Sequence, residues 1–239
     1  MWVSVRLTRL RYMLMLLIAL ALATQLAACG DKEPDQRKAF IQFLQTTVLP
    51  GGERLPALSD VQKQQFGPYA NDYQILLTFT QQFTHAVNTG LAPVLDIISQ
   101  IRIPQDYLTR RGDLQQAAGA LNLLGPQMAG MQRQAENGRA GLKQPDDLKA
   151  VYNQAYDKLV TQAIAKVTPV VTYAATLSAT LVQVGNFLSM QGNQVTFGPT
   201  SIMFPTRIQA TQYNELMKGL TSQHEQLVQA QNDAGALLP

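Results

Sequence analysis

The sequence predicts a mainly α protein: a multi-helix bundle with long kinked helices and one small β-hairpin near the C-terminus. Three observations lead there. Apolar residues recur at steps of three and four through most of the chain after residue 36. Helix-opening signals stand ahead of several of those runs: Ser59-Asp60-Val61-Gln62, Pro145-Asp146-Asp147, and Thr206 with Gln209. One short stretch breaks the pattern, with Val195-Thr196-Phe197 and Ile202-Met203-Phe204 on either side of a Gly198-Pro199 turn.

Asp35 can cap a first helix over about 36–48, with Phe40, Ile41, Leu44 and Val48 on one face. Pro50-Gly51-Gly52 ends it. The Ser59 capping box starts a short helix that Gly67-Pro68 stops. A helix over about 71–87 follows, its stripe running through Tyr73, Leu76, Phe79, Phe83 and Val87, with Asn88-Thr89-Gly90 as its exit. Pro93 opens a helix that ends near Ile101, and residues 103–106 form a loop.

From Asp113 to about Glu136 the stripe is Leu114, Ala117, Leu121, Leu124, Met128, Met131 and Ala135. It continues across Gly125-Pro126, which predicts one long helix kinked there, with a clean break as the alternative. Acids at the positive end of the dipole favour the helix after Pro145, with Leu148, Tyr152, Ala155 and Leu159 facing inward. Pro169 kinks that helix or starts a new one running to about Met190. No charge occurs between Lys166 and Arg207, so Val170–Met190 reads as the most buried helix of the bundle. A membrane span is the alternative, and Gln183, Gly185 and Asn186 weigh against it. An isolated hairpin is marginal, so residues 195–206 must pack on a helix. A last helix runs to about Ala230, with Gly219 as a point of interruption.

The start of the chain is of another kind. Arg6, Arg9 and Arg11 precede a wholly apolar Met13–Leu22, and small residues follow to Ala28. That is the layout of a secretory signal, too short in its apolar run for a permanent span of about 20 residues. Leu26-Ala27-Ala28-Cys29 resembles the lipobox of bacterial lipoproteins. The resemblance implies removal of residues 1–28, acylation at Cys29, and an anchor on which two or more chains hold stably. Residues 29–36 would then be a lipidated tether and 37–239 a single periplasmic helical domain. In lipoprotein sorting an Asp directly after the Cys retains the protein at the inner membrane. Gly30 stands there instead, which implies the inner leaflet of the outer membrane, facing the periplasm; Asp31 keeps the inner membrane as the alternative.

Composition agrees with export. The three signal arginines account for the whole formal net charge of +3, leaving the rest neutral. No basic stripe suggests a nucleic-acid partner. Cys29 is the only Cys, so no internal disulfide is expected. Trp2, the only Trp, lies in the signal, so the mature chain should fluoresce through tyrosine.

Several stretches together resemble the YiaF-like group of uncharacterised enterobacterial lipoproteins. They include Asp35-Gln36-Arg37-Lys38-Ala39-Phe40-Ile41, Gly52-Glu53-Arg54-Leu55-Pro56 and Gln65-Phe66-Gly67-Pro68. Pro104-Gln105-Asp106-Tyr107, Asp146-Asp147-Leu148-Lys149, Leu181-Val182-Gln183-Val184-Gly185 and Phe204-Pro205-Thr206 continue it. The resemblance covers the mature chain and implies a lipid-anchored envelope protein. It implies no activity, cofactor or catalytic residue.

The residues themselves offer little chemistry. His85 and His224 have no second ligand one helical turn away, so ordinary helix positions explain them better than metal binding. Asp146-Asp147 is explained by the helix start, Arg110-Arg111 by a solvated loop, and Met128 and Met131 by core packing. The uncharged hairpin is the exception. Phe197, Ile202, Met203 and Phe204 over-supply apolar surface and form a candidate patch for an envelope protein partner, against the plainer role of closing the bundle end. The expected function is a lipid-anchored envelope protein with a non-catalytic binding or structural role. The alternative is a hydrolase or transferase acting on envelope material, its site assembled non-locally from Asp106, Tyr107 and a histidine.

Overall fold

The computed structural model describes residues 32–52 and 54–238. The expected signal segment and Cys29, the expected lipidation site, lie outside the described residues, as do Gly30, Asp31 and Glu53. The elements are α1 (Glu33–Phe43), α2 (Asp60–Phe66), α3 (Tyr69–Gly90), α4 (Ala92–Ser99), α5 (Asp106–Thr109) and α6 (Arg111–Ala140). Then come α7 (Asp146–Tyr156), α8 (Gln162–Gln191), β1 (Thr196–Phe197), β2 (Ile202–Met203) and α9 (Arg207–Ala234). The fold is mainly α, as the apolar spacing predicts.

The first helix starts earlier than expected. Glu33–Gln36, assigned from sequence to the tether, form the opening turn of α1. Pro34 fits there because the first N–H groups of a helix have no intrahelical acceptor. Tyr69 donates its hydroxyl to Glu33, and Arg37 lies 3.8 Å from the same carboxylate, which fixes that turn. At its other end α1 widens into a π turn, Leu44–Val48. The ammonium of half-buried Lys158 donates to the carbonyls of Leu49 and Gly51, both at 2.6 Å. A cation therefore satisfies carbonyls that the end of the helix leaves without partners.

Both capping boxes form. Ser59 accepts from the Gln62 N–H while Gln62 accepts from the Ser59 N–H, and Thr206 and Gln209 do the same. Gly67 ends α2 at φ +54, a conformation that favours glycine. Helix α3 runs three residues beyond its expected end near Val87, through Asn88-Thr89-Gly90, with Gly90 against Leu124 of α6.

Pro126 lies inside the unbroken α6, and Pro169 inside the unbroken α8. Helix α7 passes into α8 through a π turn, Asp157–Thr161, so the chain is helical from Asp146 to Gln191. Gly219 does not interrupt α9, whose end is Gly235 at φ +55. One mid-helix glycine costs only about 1 kcal/mol, which packing along α9 outweighs.

The core is continuous. Helix α8 contributes Ala163, Val167, Val170, Ala174, Leu177, Leu181, Val184 and Leu188, all buried, to contacts with α6 and α9. By length and composition this is a helix able to cross a membrane, but its inward stripe is filled by protein neighbours. Around α1, Phe40 and Phe43 pack on Phe66 with ring centroids 5.4 and 5.1 Å apart, and Phe43 meets Tyr73 edge-on at 5.3 Å. Each such pair adds about 0.5–1.5 kcal/mol beyond the area it buries.

Five of the helices, α1, α6, α7, α8 and α9, run alongside one another. Arg37 reaches Asp147 at 3.5 Å, and Lys158 reaches the end of α1, so α1 and α7 run parallel. Gln209 donates to Gln191 at 2.6 Å, so α9 turns back along α8. Helix α6 also runs against them: Arg111 lies beside Gly185, and Arg139 donates to Asn153.

Candidate functional site

Two places bring sequence-selected residues together. The first is the hairpin. Thr196 pairs with Met203 and Phe197 with Ile202, antiparallel, and the Gly198 N–H donates to the Ser201 carbonyl at 2.8 Å. Phe197, Ile202 and Phe204 are half-buried and pack against the core. The Phe204 ring lies 5.9 Å from Phe187 and 5.2 Å from Tyr213. Met203 points outward and is 62% exposed. Met190 at the end of α8 and Ile208 at the start of α9 are 77% and 72% exposed at the same end of the bundle. The outward apolar surface is therefore Met190, Met203 and Ile208, while three of the four selected residues hold the hairpin down. The apolar pattern of the hairpin does not by itself point to Met190 and Ile208. The signal was available, because both fall off the apolar stripes of their helices.

The second place is an open groove of about 320 Å³ between α4, α5, α8 and α9. Ile98, Ile101, Leu177, Leu181 and Met217 line it, with Tyr107, Thr221 and exposed His224 as its polar members. Burial raises the Tyr107 phenol, and the neighbouring Asp106 carboxylate raises it further. Burial also pushes Tyr213 up to about 12. Asp106 is occupied elsewhere. Its carboxylate accepts the Arg102 and Ile103 N–H groups at 2.8 and 3.0 Å, which hold it below the usual carboxylate range. The groove thus gathers two of the three expected groups, and the third closes the loop ahead of α5.

The remaining candidates have structural surroundings. Asp147 accepts the N–H of Leu148 and pairs with Arg37. Arg110 pairs with Asp113 at 3.4 Å. Met128 is buried, and Met131 lines a shallow groove between α3 and α6. His85 is exposed on α3, away from His224. Among the described residues, no three His, Cys, Asp or Glu side chains come together as a metal site.

A polar cluster between α3, α6 and α7 was not foreseen. Gln144 donates to the Asp72 carboxylate at 2.6 Å, and Tyr152 donates to the Asp72 carbonyl at 2.9 Å. Arg139 stacks 4.5 Å over the Tyr156 ring while donating to Glu136 and Asn153. These groups are far apart in sequence, and no local motif marks them.

Comparison with known families decides the relationship. The model described as "Protein of unknown function (DUF3053)" matches residues 17–235. The chain belongs to the DUF3053 family. Among its relatives is the "Uncharacterized protein YiaF" of Escherichia coli (strain K12), 46% identical over 214 residues, which is 90% of this chain and 91% of the relative. The protein of the same description from Shigella flexneri matches to the same extent. No solved structure matches the chain. Family membership therefore carries no ligand or reaction to either place described above.

Proposed function

We propose that this protein is a lipid-anchored envelope protein facing the periplasm, with a non-catalytic binding or structural role. One observation carries the reading: Leu26-Ala27-Ala28-Cys29 closes a signal-type segment, and a helical domain begins at Glu33, within a few residues of that cysteine. The sulfur of Cys29 is the acylation point, and the chain beyond it has neutral net charge and no second thiol. Gly30 after the cysteine favours the inner leaflet of the outer membrane. Membrane lipid is the first partner, and an envelope protein meeting the hairpin end is the second. Met203, with Met190 and Ile208, supplies the exposed apolar side chains for that contact.

The test is Cys29→Ser in cells. The variant should lose incorporation of labelled fatty acid and leave the carbonate-resistant membrane fraction. Retention in that fraction would contradict the anchor. The partner surface is tested with Met203→Asp, since Phe204 holds the fold. Crosslinks from the hairpin to envelope proteins should fall at least several-fold while thermal stability is kept.

A second reading, an envelope-acting hydrolase or transferase, is favoured by one observation, the joining of Tyr107 and His224 in one groove. It predicts turnover of envelope material that His224→Ala abolishes without changing stability.

A further inference from the structure

We infer that the domain stands on the membrane, with the start of α1 seated on zwitterionic lipid headgroups and the hairpin held far above the bilayer. This rests on the lipid-anchor reading proposed above. Between Cys29 and Glu33 lie only Gly30, Asp31 and Lys32. Even fully extended, that length of chain spans at most roughly 14 Å. An acylated sulfur sits at the boundary of headgroups and hydrocarbon, so this short tether keeps the first turn of α1 at the membrane surface.

Whatever packs around that turn is then held at the bilayer. Tyr69 at the start of α3 bonds Glu33, and Asp147 at the start of α7 pairs with Arg37. Three helices thus begin at this end, and the loop before α7 closes it. Its exposed charges are mixed: Asp35, Asp146 and Asp147 with Lys32, Lys38, Lys143 and Lys149. Those four lysines have no ion-pair partner among the described residues. Both signs of charge, with no large exposed apolar side chain on these first turns, match headgroups that carry a phosphate and an ammonium together.

The axis leads away from that base. Helices α1 and α7 run parallel, and the helical path continues from Asp146 to Gln191. At 1.5 Å per residue it spans up to about 68 Å. The hairpin and its exposed Met203 lie at the far end. A partner bound there must occupy that depth of the compartment and not the anchoring leaflet.

The test uses the full lipidated chain in vesicles of phosphatidylcholine and phosphatidylethanolamine that contain an acceptor-labelled lipid. Cys29 is blocked by its thioether, so one introduced thiol takes the donor dye, from Ala150→Cys at the base or Ser201→Cys in the hairpin turn. Energy transfer to the lipid should be strong from position 150 and at least several-fold weaker from 201. Equal transfer from both sites on vesicle-bound protein means that the bundle lies flat, which overturns the inference and leaves the anchor intact. Intact mass on the same samples separates the two claims. A chain without acyl mass at Cys29 that also fails to float with vesicles overturns the anchor, and this inference with it.

Discussion

Gly185 is a position with little room for change. A Cβ there would lie 2.4 Å from the Tyr107 carbonyl oxygen and 3.2 Å from the side chain of Arg111. Backbone meets backbone at that point, so neither side can give way cheaply. Gly185→Ala should lower unfolding stability by about 1–3 kcal/mol in urea titration, as overpacked cores do. Gly119, inside the long α6 that carries Arg111, has open space around it. Gly119→Ala should raise stability by about 0.5–1 kcal/mol, because only the unfolded chain loses freedom. Asp72 gives a prediction in pH. Burial raises its carboxyl, against the lowering effect of the Gln144 bond. A folded acid with a raised pKa holds its proton more tightly than the unfolded chain does, so stability falls as pH climbs through the acid range. Asp72→Asn removes that penalty and keeps an oxygen for Gln144. It should melt higher than the parent at pH 7, with the difference vanishing at low pH.

The elements show how much the sequence states by itself. Every long helix was legible, because each must bury one stripe and repeats apolar residues to do so. The capping boxes at Ser59 and Thr206 were legible for a local reason: each is closed by a residue three positions on. Thr206→Ala should cost about 1 kcal/mol and loosen the hairpin beside it. Misjudged boundaries have an equally physical cause. Glu33–Gln36 look like a tether until Tyr69, 36 residues on, supplies the hydroxyl that holds Glu33. Gly90 looks like a stop until Leu124 fills the space beside it. The same limit applies to the candidate site. Which hairpin residues turn inward depends on Phe187 and Tyr213, and the Tyr107 groove needs four elements. Such pairings leave no periodic trace.

At the scale of the molecule, stability rests on packing. The described core has no disulfide to draw on, and its tyrosines are part of it. Burial pushes Tyr73, Tyr156 and Tyr213 up to about 12. Neutral phenols suit the fold, so their contribution is complete below an unfolded pKa near 10 and is lost as pH rises through 10 to 12. Tyrosinate absorbance should therefore appear late and together with loss of helical circular dichroism, as one cooperative alkaline transition. The larger claim is that this bundle is moored by the single Cys29. Intact mass of the mature protein, isolated from its native membrane, tests that most directly. The account predicts a chain that begins at Cys29 and carries added acyl mass on that residue. A mature chain that begins elsewhere, or that begins at Cys29 without acyl mass, would contradict it.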